Sequence, residues 1–236
     1  MKERIIVALD TDSPEAALAA VKALSGEVGM FKVGMELFPR GGPDLVRRIR
    51  EAGFDVFLDL KFHDIPNTVA GAVRTAAALG VKFTTVHASG GREMLTAAVE
   101  SARGTGTAIL AVTVLTSLDD ADLEDIGFSL GAAAAVARLA ELAVSCGVEG
   151  IVCSAKEVET VRARVGKGIT LVTPGVRMSG DAVGDQKRVV TPADAIRRGA
   201  DYLVVGRPIT KAADPATAAR AIATSMRDAL SKGERS

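Results

Sequence analysis

The stretch FLDLKFHDIPN, Phe57 to Asn67, sets Asp59, Lys61 and Asp64 at the end of an apolar run. Burying charge is expensive unless it is paired. Two acids and an amine in that place therefore call for a reason. Asp59 and Lys61 are two residues apart, a spacing that puts both side chains on one face of a strand and Leu60 on the other. An ammonium beside a carboxylate stays protonated, and the carboxylate stays ionised. Such a pair is part of a fixed array of alternating charge, set before any ligand arrives. Lys32, in the earlier run MFKVG, supplies a second amine for the same array if its strand lies alongside. The competing use of these charges is a salt-bridge network that closes the structure and touches no ligand.

What must position them is a repeated unit. Short β-rich runs cover 4–10, 30–34, 55–61, 83–88, 108–116, 150–154, 169–175 and 202–209, each followed by an amphipathic stretch. The runs are almost continuously apolar, as strands buried on both faces are. The helical stretches are rich in alanine and end at Gly53, Gly80, Gly147 and Gly199, as helices closed by a left-handed residue do. Ser13 reads as an N-cap with Pro14 in the first helical position. Strict alternation of strand and helix means a parallel sheet. Eight units in 236 residues predict a TIM (β/α)₈ barrel, one domain over 1–236. An open doubly wound sheet would carry G-x-G-x-x-G after its first strand, where this chain has ALDTDSP.

In such a barrel the site lies at the C-terminal strand ends. The polar residues predicted there are Asp10, Lys32, Asp59, Lys61, His87, Thr116, Ser154, the Pro174–Arg177 corner, Gly206 and Arg207. Loops after strands seven and eight of these barrels commonly hold phosphate. Gly206 lets backbone approach an anion and Arg207 can grip it in bidentate fashion, although an arginine there can equally cap a helix. The polar segment 176–190 is long enough for a lid, and Gln186 within it could add a donor. His63 reads as a base, a ligand or a loop-orienting residue, and His87 as a packed one. Thr116 and Ser117 serve a heterocycle or cap a turn. Cys146 and Cys153 sit in apolar surroundings and read as structural thiols.

Twenty-nine basic and twenty-nine acidic residues cancel, and aromatics are 3% of the chain. A nucleic-acid partner is not expected. The N-terminal apolar run is too short for a signal or a membrane span. Two cysteines do not make a secreted disulfide scaffold, so a cytoplasmic protein with no membrane partner is expected. The histidines and cysteines lack metal-ligand spacing, and no metal site is expected.

The order of FKVG, DLKFHDIPNT, VLTS, TPGVR, GDQKRVVTP and VVGRPIT resembles the bacterial orotidine 5′-phosphate decarboxylases over nearly the whole chain. D-x-K-x-x-D alone is shared with related barrels; the GDQKRVVTP and GRPIT segments are specific. The resemblance implies decarboxylation of orotidine 5′-phosphate to uridine 5′-phosphate, the last step of uridine 5′-phosphate biosynthesis, without cofactor or metal. It implies a homodimer with shared sites. Lys61 would be the proton donor, with Asp59 and Lys32 completing the array and Asp64 joining from the neighbouring subunit. Asp10 and Lys32 would contact the ribose, with Thr68 reaching in from the partner. Thr116 would face the pyrimidine. Arg177 would lie at the lid's base, and Gln186, Gly206 and Arg207 would hold the phosphate. Two rival readings share the fold. One is a magnesium-dependent hexulose-phosphate synthase; the other is a non-catalytic phosphate-ligand binder.

Overall fold

A computed structural model describes residues 1–178 and 190–233. Its strands are β1 (Ile5–Ala8), β2 (Met30–Gly34), β3 (Asp55–Phe62), β4 (Phe83–His87), β5 (Ala108–Val112), β6 (Gly150–Val152), β7 (Thr170–Thr173) and β8 (Tyr202–Val205). They form a closed barrel in sequence order, every neighbouring pair parallel, with β8 paired back to β1. The helices are α1 (Pro14–Ala23), α2 (Phe38–Glu51), α3 (Pro66–Ala78), α4 (Gly91–Ala102), α5 (Asp120–Asp125), α6 (Ala132–Ser145), α7 (Val158–Val165), α8 (Pro192–Arg197), α9 (Arg207–Thr210) and α10 (Pro215–Gly233). The expected (β/α)₈ barrel is the observed one.

Local signals behave as the sequence reading requires. Ser13 accepts a hydrogen bond from the Ala16 backbone N–H and caps α1, with Pro14 in the first position. Gly53, Gly80, Gly147 and Gly199 all take positive φ just beyond helix ends, a conformation that opposes any Cβ. α2 is broken at Gly42 (φ 54°, ψ −159°) ahead of Pro43. Its second half is the amphipathic stretch that the sequence pattern marks.

Strand alternation divides the core in two. One set of side chains faces the helices, among them Val7, Phe31, Val33, Val56, Leu58, Ile109, Ile151, Leu171 and Leu203. The other set, Ile6, Ala8, Met30, Phe57, Phe83, Leu110, Val172 and Val204, fills the barrel interior. The same two-residue step carries the interior face upward from Met30 to Lys32, from Phe57 to Asp59 and from Phe83 to Thr85 and His87. The apolar plug and the charged layer above it are therefore successive tiers of one face.

The largest differences from the sequence reading are two strand ends and an extra helix. The fifth run was expected to be strand to Thr116, but β5 ends at Val112. Beyond it the Thr113 backbone N–H and hydroxyl both donate to the Val152 carbonyl, and the chain turns away. The next residues form α5, an extra helix opened by a reciprocal capping box between Asp119 and Asp122, whose D-x-x-D spacing is its signal. The eighth run was expected to continue to Ile209, but β8 ends at Val205 and Arg207–Thr210 is a turn of helix. Pro208 lacks the N–H a ladder needs, and the start of a helix tolerates that loss.

Candidate active site

The charged tier sits at the C-terminal ends of β1, β2 and β3. Asp59 is 8% exposed. Lys61 Nζ donates to Asp59 Oδ2 at 2.8 Å, and Lys32 Nζ lies 3.6 Å from the same oxygen. Lys32 Nζ also donates to Asp10 Oδ1 at 3.2 Å. The register that pairs Ala8 with Lys32 and Gly34 with Asp59 brings these residues together across three strands.

A buried carboxylate without partners would be driven to protonate. Burial does oppose the Asp59 charge, but the Lys32 and Lys61 ammoniums, with hydrogen bonds from Lys61 and Thr85, outweigh it and hold its pKa below the ordinary carboxylate value. The Thr85 hydroxyl donates to Asp59 Oδ1 at 3.0 Å, so each carboxylate oxygen is occupied. Thr85 was not singled out from the sequence. Its signal is present nevertheless: Phe83, Thr85 and His87 alternate on the inner face of β4.

Lys61 reaches the site by a different backbone from the one expected. A regular pleat would carry Asp59 and Lys61 to one face, but β3 is bulged here. Leu58 pairs with Thr84 while Phe62 pairs with Val86, so β3 advances four residues against two on β4. Within the bulge Lys61 has φ 52°, alone among the described non-glycine residues in taking a positive value. The Lys61 backbone N–H donates to Thr85 Oγ1 at 2.9 Å. One hydroxyl therefore holds both the backbone of the lysine and the carboxylate that orients its ammonium. Bulges commonly re-aim a side chain beside an active site.

The other expected residues do not all join the array. Gly206 borders the array, since a Cβ there would lie 3.7 Å from Asp10 Oδ2 and 3.6 Å from Ala8 Cβ. Arg207 follows it, exposed, at the start of α9. Thr116 is half-buried in the loop after β5. Arg177 is buried, donates through Nη1 to the Val176 carbonyl, and stands where a Val176–Val190 bridge closes the base of the intervening segment. Gln186 lies outside the described residues. Asp64 and Thr68 are exposed, and the Asp64 carboxylate accepts the Ile65 backbone N–H at 2.7 Å rather than a member of the array. Cys153 is fully buried, and burial pushes its thiol far above the usual range, consistent with a structural role.

A family model described as "Orotidine 5'-phosphate decarboxylase / HUMPS family" matches residues 3–222. The chain belongs to that family. It is 58% identical over 224 residues to a protein named orotidine 5'-phosphate decarboxylase from Anaeromyxobacter sp. (strain K), covering 95% of this chain and 98% of that one. It is 55% identical over 225 residues to one of the same name from Halorhodospira halophila (strain DSM 244 / SL1), covering 94% and 95%. The crystal structure of orotidine 5'-phosphate decarboxylase from Lactobacillus acidophilus matches with a TM-score of 0.84 at 38% identity, covering 94% of this chain and 98% of that one.

Two histidines flank the array in this decarboxylase-family barrel. The rings of His63 and His87 lie with centroids 5.4 Å apart. A Cβ on Gly90 would collide with Met94 Sδ and come within 3.3 Å of the His63 ring, so the glycine leaves room chiefly for Met94. Burial, then His63 and the Lys61 ammonium, lower the His87 pKa, against a smaller opposing pull from Asp59. A histidine whose folded pKa is depressed contributes its full stability above the unfolded value of about 6.5 and loses it progressively as pH falls from there through its lower folded pKa. Asp59 behaves differently: with its pKa depressed, its contribution persists until pH falls below the unfolded carboxylate value of about 3.9. Thermal midpoints measured from pH 7.5 down to 5.5 should therefore fall, and His87→Asn should flatten that slope. An unchanged slope would assign it to other groups.

Proposed function

We propose that this protein decarboxylates orotidine 5′-phosphate to uridine 5′-phosphate, in the pathway to uridine 5′-phosphate. The observation that carries the reading is the buried Asp59 carboxylate held between the Lys61 and Lys32 ammoniums at 2.8 and 3.6 Å. The decarboxylase names of relatives at 58% and 55% identity support the same substrate.

Loss of carbon dioxide breaks the bond between the sixth ring carbon and the carboxylate. Its electron pair stays on that carbon, in an orbital the ring π system cannot delocalise. Localised negative charge must be met by positive charge already in place, and a fixed ammonium in a site shielded from water is worth far more than one in water. Lys61 stabilises the carbanion and delivers its proton to that carbon, then regains one from solvent. Asp59 holds Lys61 in position. Asp10 and Lys32 bind the ribose hydroxyls, and Thr116 faces the pyrimidine. Arg177 lies at the base of the lid, and Gln186, Gly206 and Arg207 hold the phosphate, whose binding energy is available for closing the lid.

The functional unit in this reading is a homodimer, with Asp64 and Thr68 of the partner subunit completing each site. Exposed Ile65 (67%), between Asp64 and Thr68, supports a covered surface. The balanced charge and the two free thiols fit a cytosolic enzyme. Among the described residues no helix is long and apolar enough to cross a membrane.

The proposed chemistry draws its positive charge from lysines, so no metal or cofactor enters it. Purified protein should lower the absorbance of orotidine 5′-phosphate at an undiminished rate in excess EDTA. Activity that disappears with chelator and returns with magnesium would favour the sugar-phosphate synthase reading instead.

A further inference from the structure

Lys32 and Gly34 share the inner face of β2, two residues apart. The lysine side chain runs forward along its own strand, and its ammonium comes to rest where the next inward side chain would begin. A Cβ on Gly34 would lie 2.8 Å from Lys32 Nζ and 3.8 Å from Asp10 Oδ1. Gly34 is buried, and it is not among the glycines with positive φ. Its backbone could be adopted by alanine. What the glycine provides is space, and the ammonium occupies that space.

From this place Lys32 Nζ reaches Asp10, two residues beyond the end of β1, at 3.2 Å and Asp59 on β3 at 3.6 Å. A methyl group on Gly34 would have to drive Nζ outward by more than half an ångström to restore ordinary contact. The contact to Asp59 is already long, and a lysine stem has several other rotamers to escape into. We propose that Gly34 is a positioning residue: by lacking a side chain it seats the Lys32 ammonium between Asp10 and Asp59 and so fixes the geometry of the charged array. The inference rests on the reading of Lys32 as a substrate-contacting residue.

The test compares Gly34→Ala, Lys32→Ala and the double variant in the full-length protein. It measures turnover of orotidine 5′-phosphate, affinity for uridine 5′-phosphate by calorimetry, and thermal midpoint. Gly34→Ala should stay folded and lose roughly 10- to 100-fold in kcat/KM, the scale of a misplacement of about 1 Å at a catalytic site. It should also weaken product binding. In the Lys32→Ala background the same substitution should change neither affinity nor midpoint, because no ammonium remains to displace. Equal losses in both backgrounds would mean that the methyl obstructs the ligand itself, and unchanged turnover of Gly34→Ala would mean that Lys32 accommodates it; either overturns the proposal. If Gly34→Ala alone fails to fold, a double variant as stable as Lys32→Ala upholds the proposal, and an unfolded double variant overturns it. Wild-type turnover and affinity in Lys32→Ala would instead remove the array reading on which the inference stands.

Discussion

Replacing Lys61 with alanine is expected to eliminate turnover of orotidine 5′-phosphate while leaving the barrel folded. Two roles disappear together. A positioned general acid contributes typically 10²- to 10⁴-fold and a preorganised electrostatic donor about 10²- to 10³-fold, so the combined loss should be roughly 10⁴- to 10⁷-fold. Folding should survive because the Asp59 carboxylate keeps Lys32 at 3.6 Å and the Thr85 hydroxyl at 3.0 Å. The backbone argues the same way. Lys61 holds φ 52°, a conformation that costs a non-glycine residue of order 1–3 kcal/mol. Lys61→Gly should relieve that strain and match or exceed the wild-type thermal midpoint while being equally inactive. The pair of variants separates loss of chemistry from loss of structure. Substantial turnover by either would remove Lys61 from its role as proton donor.

The second large effect is a gain. The Ile65–Thr68 corner begins α3 and projects from the barrel, with Asp64, Ile65 and Thr68 all exposed. If Asp64 serves the neighbouring subunit's site, Asp64→Ala and Lys61→Ala should each be nearly inactive alone. Co-expressed in equal amounts they should recover about a quarter of wild-type activity, because half the random two-fold dimers then hold one intact site of two. The recovered activity should reside in the mixed dimer when differently tagged chains are separated. Asp64→Ala with full activity, or a mixed dimer as inactive as its parents, would assign Asp64 to the surface of its own subunit.

Much of this molecule follows from local pattern. The eight apolar runs, the glycines closing helices and the Ser13–Pro14 start needed no distant partner to be read, and the closed barrel follows from their strict alternation. Barrel closure then places Asp10, Lys32, Asp59, Lys61, Gly206 and Arg207 at strand ends on one side. Helix boundaries between strands were less legible. The span from Thr113 to Gly131 looked like strand and connector, yet β5 stops at Val112, Thr113 bonds to the Val152 carbonyl on the neighbouring strand, and the span holds α5.

Residue type and two-residue spacing by themselves determined that charge would gather above an apolar plug, on the inner face of β2 and β3. They did not determine how that charge is held. Lys61 arrives through a bulge opposite β4, anchored by a threonine twenty-four residues away. Lys32 bridges two carboxylates only because Gly34 leaves its space open. Asp59 remains ionised in a buried place only because two ammoniums and the Thr85 hydroxyl converge on it from three strands. A side chain's periodic position is a local property of the chain, whereas its partners, its pKa and the room it occupies are set by neighbouring strands, which only barrel closure brings together.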